Sequence, residues 1–351
     1  MEREKENLDL TITEENLLLE LLACNESITF DNLPPALPAV TNVFPSYSPD
    51  TLKYLIATSD SYILNPFYLD DKNSEIKPKM IMILIDWMME VCTDFHFHRD
   101  TFHQSISYVH QYLLLKNDIS LMRLQLLGLT SILISVKLNE VRIPRLADIA
   151  KCAADCYAVK EIEDMELSIV TALTWNLTPL TVFFWANLYA EHWDEFSKEG
   201  AFIEAKFKKI SNDSYKRYRL LMLIIDSFSM EVEHLQYNQR VLAGSAIYIV
   251  LSLHQYSIQD ILKLFTKGSK FILDSNDFNK GFQSFSRTFL DFSLEELLPG
   301  IQYVANFVDV PLECDDLMEK ERGIGNYENM LTTQTYSRCL LDYLQSKHSD
   351  T

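Results

Sequence analysis

Lys79-Met80-Ile81-Met82-Ile83-Leu84-Ile85-Asp86-Trp87-Met88-Met89-Glu90-Val91-Cys92 is the stretch on which the reading of the fold turns. At helical spacing it carries two apolar stripes: Ile81, Ile85, Met88 and Cys92 make one, and Met80, Ile83, Leu84, Trp87 and Val91 make the other. A helix packed on one core needs only one stripe. Either this helix is sandwiched on both sides, or its second stripe is an exposed hydrophobic groove for a partner peptide with Trp87 as its floor. Asp86 and Glu90 interrupt the run, so it does not reach the roughly 20 uninterrupted apolar residues of a membrane span.

Working outward, the sequence is a succession of helix-length periodic segments. Phe102, Ile106, Val109 and Leu113 form a single stripe behind the start signals Asp100 and Thr101. Leu121 to Leu138 is apolar in nearly every direction, which predicts a central helix surrounded by others. Arg145 to Cys156, with Pro144 suited to a first turn, and Lys160 to Leu173 complete a first group. Thr178-Pro179 opens a second series, in which Gln239 to Leu253 is again apolar on most sides; Gly128 and Gly244, each ahead of an apolar run, mark a weak repeat. Ser293 and Glu296 form a capping-box pattern ahead of Leu297, Leu298, Ile301, Val304 and Phe307, where Pro299 is expected to kink or split the helix. Ser257 to Phe289 holds more helix than one repeat needs and reads as an insertion.

Upstream, residues 1–48 combine acidic stretches with the Pro-rich Leu33 to Pro38 and read as a flexible arm. Ser48-Pro49-Asp50 then starts a separate amphipathic helix carrying Leu52, Leu55, Ile56 and Tyr62. The expected organisation is this arm, an N-terminal helix and linker over 49–79, a first domain over 80–178, a second over 179–310 with an insertion near 257–289, and a tail over 311–351.

With 48% hydrophobic residues but only 8 glycines in 351, the chain is expected to be a soluble all-α protein. A formal net charge of -19 opposes binding to nucleic acid or an anionic membrane surface. Six cysteines without a CxxC pair suit a reducing compartment, and Cys152 and Cys156, four apart, read as core thiols. No Gly-rich phosphate loop or nucleophile elbow is present, so neither a catalytic site nor a cofactor is expected. His96, His98 and His103 beside Asp94 and Asp100 have metal-ligand chemistry and could serve a helical metal-dependent hydrolase. The favoured reading is an exposed interhelical turn with no metal.

The opening stretch resembles the start of the cyclin box, whose usual text is Met-Arg-Ala-Ile-Leu-x-Asp-Trp-Leu-x-Glu-Val. The resemblance continues through Tyr108-Val109, Leu124-Gln125-Leu126-Leu127-Gly128, Val136-Lys137-Leu138-Asn139-Glu140 and Met165-Glu166. Leu173 to Thr181, followed by Trp185-Ala186-Asn187-Leu188-Tyr189, is similar to the E-type, G1/S cyclins. The resemblance implies two tandem five-helix cyclin folds after an N-terminal helix, in a regulatory subunit that binds and activates a cyclin-dependent kinase as a heterodimer. Lys137 and Glu166 are then the residues that hold the kinase's PSTAIRE helix. Both lie on otherwise apolar helices, where a desolvated charge needs a partner. Leu138, Val170, Trp175 and Leu177 supply the apolar contact, Leu52, Leu55 and Ile56 lie alongside, and Asn139 and Glu140 match the pair that supports the activation segment. Met80, Ile83, Leu84, Trp87, Glu90, Leu124 and Gln125 match the groove that captures Arg-x-Leu motifs of substrates and inhibitors.

The chain departs from the family text at Ile81, where an Arg is usual, and at His110, where an acid is usual; in the family these form a buried ion pair, and their joint loss reads as compensated. No Thr-Pro degradation signal stands in the C-terminal tail. The implied location is the nucleus, with cytoplasm and the centrosome, although Trp185 of the centrosome-like stretch reads first as core. The competing readings are a cyclin-fold adaptor that activates no kinase and a cyclin-fold nucleic-acid binder, the latter opposed by the charge.

Overall fold

In the computed structural model the described residues are 49–60, 76–116, 119–199, 214–253 and 277–308. By internal contact the chain divides into 1–35 and 36–351, and every described residue lies in the second unit. The arm over 1–48, the tail over 311–351 and the insertion up to 276 lie outside the described residues.

The described residues are helical, with no strand beyond an isolated bridge at His98. The helices are α1 (Pro49–Asp60), α2 (Pro78–Asp94), α3 (Arg99–Leu115), α4 (Leu124–Asn139), α5 (Leu146–Cys152) and α6 (Val159–Ala172). They continue with α7 (Val182–Glu199), α8 (Ser214–Ser229), α9 (Gln239–Ser252), α10 (Asp277–Phe285) and α11 (Leu294–Val304). A π turn, Ser286–Leu290, extends α10.

The two segments expected to be apolar all round are the hubs. α4 packs on α2, α3 and α6, and α9 packs on α7, α8 and α11. From Leu124 to Val136 every α4 residue except Gln125 is buried. The glycine repeat has a steric cause. A Cβ on Gly128 would lie 2.8 Å from Leu84 Cδ1 on α2, and one on Gly244 would lie 2.6 Å from Leu290 Cδ2. Each hub is therefore notched where a neighbouring leucine presses in.

The capping box forms as read: Ser293 Oγ accepts from the Glu296 amide at 3.3 Å, while Glu296 Oε2 accepts from the Ser293 amide at 2.7 Å. Pro299 does not split α11, which runs as one helix. Gly300, the next residue, packs against α9 at Ser245 and Val241, and Ser245 Oγ donates to the Leu297 carbonyl at 3.2 Å. Cys156 corrects another expectation: α5 ends at Cys152, so Cys156 lies exposed in the following turn rather than on a shared buried helix face.

α1 turns Leu52, Leu55 and Ile56 towards the core, where they are half-buried, and leaves Tyr54 exposed. Ser59 at its end accepts from Trp185 Nε1 on α7 at 3.2 Å. Trp185 is wholly buried and Asn187 nearly so, which makes this stretch core.

Candidate functional site

The C-terminal end of α4 and the middle of α6 lie side by side, so residues 29 apart in sequence meet there. Lys137 Nζ donates to Glu166 Oε1 at 2.5 Å, with side-chain exposures of 39% and 23%. The pair stands over a cleft of about 330 Å³ lined by Ile134, Leu138, Glu163, Leu167, Val170, Trp175 and Leu177 beside the two charges. Three large apolar groups are exposed around it: Leu138 is 50% exposed, Leu167 64% and Trp175 75%. The cleft brings together Lys137, Glu166, Leu138, Val170, Trp175 and Leu177. It adds Leu167, which had a signal: it follows Glu163 by four and precedes Val170 by three, on one helical face.

Trp175 is held outward by its backbone. α6 ends in a turn in which the Thr174 amide donates to the Thr171 carbonyl at 3.1 Å and the Trp175 amide to the Val170 carbonyl at 3.0 Å. Both residues take left-handed conformations, with φ of 50° and 60°. For non-glycine residues each costs about 1–2 kcal/mol. The strained turn thus leaves a large indole in water at the edge of the cleft.

Asn139 and Glu140 turn inward instead. Asn139 Nδ2 donates to Gln104 Oε1 at 2.9 Å and to Ser135 Oγ at 3.1 Å. The Glu140 carboxylate accepts from the His98 amide at 2.7 Å and Thr101 Oγ1 at 2.6 Å, and binds His98 Nδ1 at 2.8 Å, closing the N-terminus of α3. Burial pushes this carboxyl up, but the hydrogen bonds outweigh it and hold the group below its usual range. Its neighbour Asp100 is driven the other way, to about 6, by burial and by the Glu140 charge against the opposing pull of His98.

On α2 the first stripe is fully interior: Ile81, Ile85, Met88 and Cys92 are each 0% exposed. In the second stripe Ile83 is exposed at 47%, and Met80, Trp87 and Glu90 are half-buried. Leu84 and Leu124 are buried beneath them. Gln125, half-buried, accepts from the Tyr157 hydroxyl at 3.5 Å. The second stripe is therefore neither wholly sandwiched nor wholly open: Leu84 belongs to the packing against Gly128, and the accessible surface is Met80, Ile83 and Trp87.

His98 and His103 face different carboxylates, since His103 Nε2 bonds Asp226 Oδ1 on α8 at 3.0 Å. Among the described residues there is no group of three or more ligands able to hold a metal. Ile81 and His110 are both buried, and the ring of His110 meets that of His234 at 5.7 Å.

Comparison with known proteins bears on the family and the fold. The model of the cyclin N-terminal domain matches residues 50–178. The chain is 30% identical over 201 residues to G1/S-specific cyclin-E1 of Gallus gallus, covering 57% of this chain and 47% of that protein. It is 31% identical over 172 residues to G1/S-specific cyclin-E of Hemicentrotus pulcherrimus, covering 49% and 40%. The chain thus spans about half the length, or less, of the curated relatives it matches. Among solved structures it shares the fold of a viral cyclin from herpesvirus saimiri, with a TM-score of 0.52 at 15% identity over 74% of this chain and 96% of that one.

Proposed function

We propose that this chain, a member of the cyclin family similar to its E-type branch, is the regulatory subunit of a cyclin-dependent kinase and switches it on in the control of the G1/S transition. The observation that carries the reading is the Lys137–Glu166 pair standing over a cleft rimmed by exposed Leu138, Leu167 and Trp175. Apolar groups held in water around a charge pair suit a partner helix that buries the leucines and tryptophan and offers its own polar groups to Lys137 and Glu166. That helix is the kinase's PSTAIRE-type helix. The mechanism is a population shift: the cleft binds the helix in its inward position, which completes the kinase's internal Lys-Glu pair and opens its activation loop. The chain itself performs no chemistry and needs no cofactor. Met80, Ile83 and Trp87, with Gln125 and Glu90 at the rim, form a separate docking surface for Arg-x-Leu motifs. The complex acts in the nucleus.

The internal engagement of Asn139 and Glu140 favours a second reading. Residues spent on capping α3 give little support to an activation segment, so a cyclin-fold adaptor that binds a kinase without activating it is the alternative. Co-purification with a PSTAIRE-type kinase, followed by phosphate transfer to histone with and without the chain, decides between them. Binding with strong stimulation supports the first reading, binding without stimulation the second, and no binding to any such kinase sinks both.

A further inference from the structure

Beyond the cleft, exposed surface runs on from Leu138 into the loop Val141-Arg142-Ile143-Pro144-Arg145, which joins α4 to α5. Val141 is 96% exposed and Ile143 53%, and both arginines stand in water. The loop is fixed at both ends. In front of it the Glu140 carboxylate accepts from the His98 amide and Thr101, and behind it the Arg145 carbonyl accepts from the Asp148 and Ile149 amides at 2.9 and 3.1 Å. Pro144 further confines Ile143 to extended backbone. Two β-branched side chains are thus held outward on a short, anchored strip.

The charge of this strip runs against that of the chain. Residues 137–151 carry four cations, Lys137, Arg142, Arg145 and Lys151, against the two acids Glu140 and Asp148, in a chain of net charge -19. Lys137 is paired with Glu166 and Lys151 with Asp148, and Glu140 is engaged at the start of α3. Among the described residues neither Arg142 nor Arg145 makes a hydrogen bond or ion pair with its side chain. Two free guanidiniums, one on each side of Ile143, complement an extended segment in which carboxylates flank an apolar side chain. The size of the cleft identifies that segment's owner. The cleft is lined by nine residues, short of the roughly 20–30 that each side of a stable interface supplies, so a partner held there has to cover neighbouring surface as well. Granted the kinase reading of the cleft, on which this rests, we infer that residues 141–145 continue the cleft interface and take an extended acidic segment of the same kinase, its carboxylates against Arg142 and Arg145 and its apolar group against Val141 and Ile143.

The test is titration calorimetry of the full chain against a dephosphorylated PSTAIRE-type kinase at about 0.05 M and about 0.5 M salt. Expected for Arg142→Gln/Arg145→Gln is an affinity about fivefold or more below wild type at low salt, a gap that closes at high salt, and recovery of most of it in Arg142→Lys/Arg145→Lys. Val141→Ser/Ile143→Ser should weaken binding at both salts. A Gln variant that matches the wild type at both salts, one weaker by the same factor at both, or a Ser variant that binds as the wild type does would each overturn the inference and leave the kinase reading standing. So would a loss seen only with phosphorylated kinase, which makes the anion a phosphate. Self-association of the wild-type chain in sedimentation that the Gln variant lacks would likewise overturn it, since the occupant is then a second copy. A wild-type chain that binds no such kinase at either salt overturns the cleft reading and this one together.

Discussion

At Lys137 and Glu166 a close ion pair contributes little to the free chain, because both side chains keep contact with water and exposed pairs are worth roughly 0–1 kcal/mol. Their loss should therefore be felt in binding and not in folding. Lys137→Ala with Glu166→Ala is expected to abolish co-purification with the kinase while the melting temperature falls by no more than a few degrees; retained binding would mean that the pair is not the anchor. Trp175→Ala keeps a Cβ in the left-handed turn and so should leave stability nearly unchanged, yet weaken kinase binding at least about tenfold, since an exposed indole truncated at a hot spot costs about 2 kcal/mol or more. Titration calorimetry against the same kinase separates the two effects. Leu84 behaves oppositely: its contact with Gly128 makes Leu84→Ala a cavity substitution, expected to cost about 2–5 kcal/mol in urea unfolding.

Among elements, α2 carries both an interior stripe and an outward one, and its outward one is the proposed docking surface. Met80→Ala, Ile83→Ala and Trp87→Ala together should spare activation measured on a short peptide and slow phosphorylation of substrates bearing an Arg-x-Leu motif. Equal loss on both substrates would mean that the outward stripe is structural. The hub α4 and the two-stripe α2 were legible in sequence because burial on all sides, or on two sides, leaves a periodic trace. The fate of Asn139 and Glu140 was not legible. Which way a polar side chain at a helix end turns depends on what another helix places nearby, and here His98 and Thr101 arrive from across a turn. Likewise Leu52, Leu55 and Ile56 show helical spacing in sequence, but spacing does not say whether the stripe faces the chain's own core or a partner. The left-handed pair at Thr174 and Trp175 had no local signal either, since neither residue favours that conformation.

For the whole molecule, proton linkage sets the pH range of stability. Burial lowers the folded-state affinity of His103, His110 and His234 for protons, so the unfolded chain binds more of them as pH falls below about 6.5. Stability is then full above that value and declines towards pH 4, by up to about 1.4 kcal/mol per pH unit for each histidine. Asp100 works in the opposite sense: its carboxyl, raised to about 6, favours the folded state as it takes up a proton between about pH 6 and pH 4. Three histidines against one aspartate leave a net acid destabilisation, which urea midpoints between about pH 7.5 and pH 5 should reveal. A flat profile would mean that the rings reach solvent.

The bond between Trp185 and Ser59 has a consequence for how this chain can be cut. The cyclin N-terminal match ends at residue 178, yet the helix that opens that stretch is fastened to a side chain seven residues beyond it. The region that homology marks as a module is thus tied by a buried hydrogen bond to the helix that follows it. A fragment ending at residue 178 would lose this fastening of its first helix, and would hold Leu52, Leu55 and Ile56, half-buried in the longer protein, less firmly.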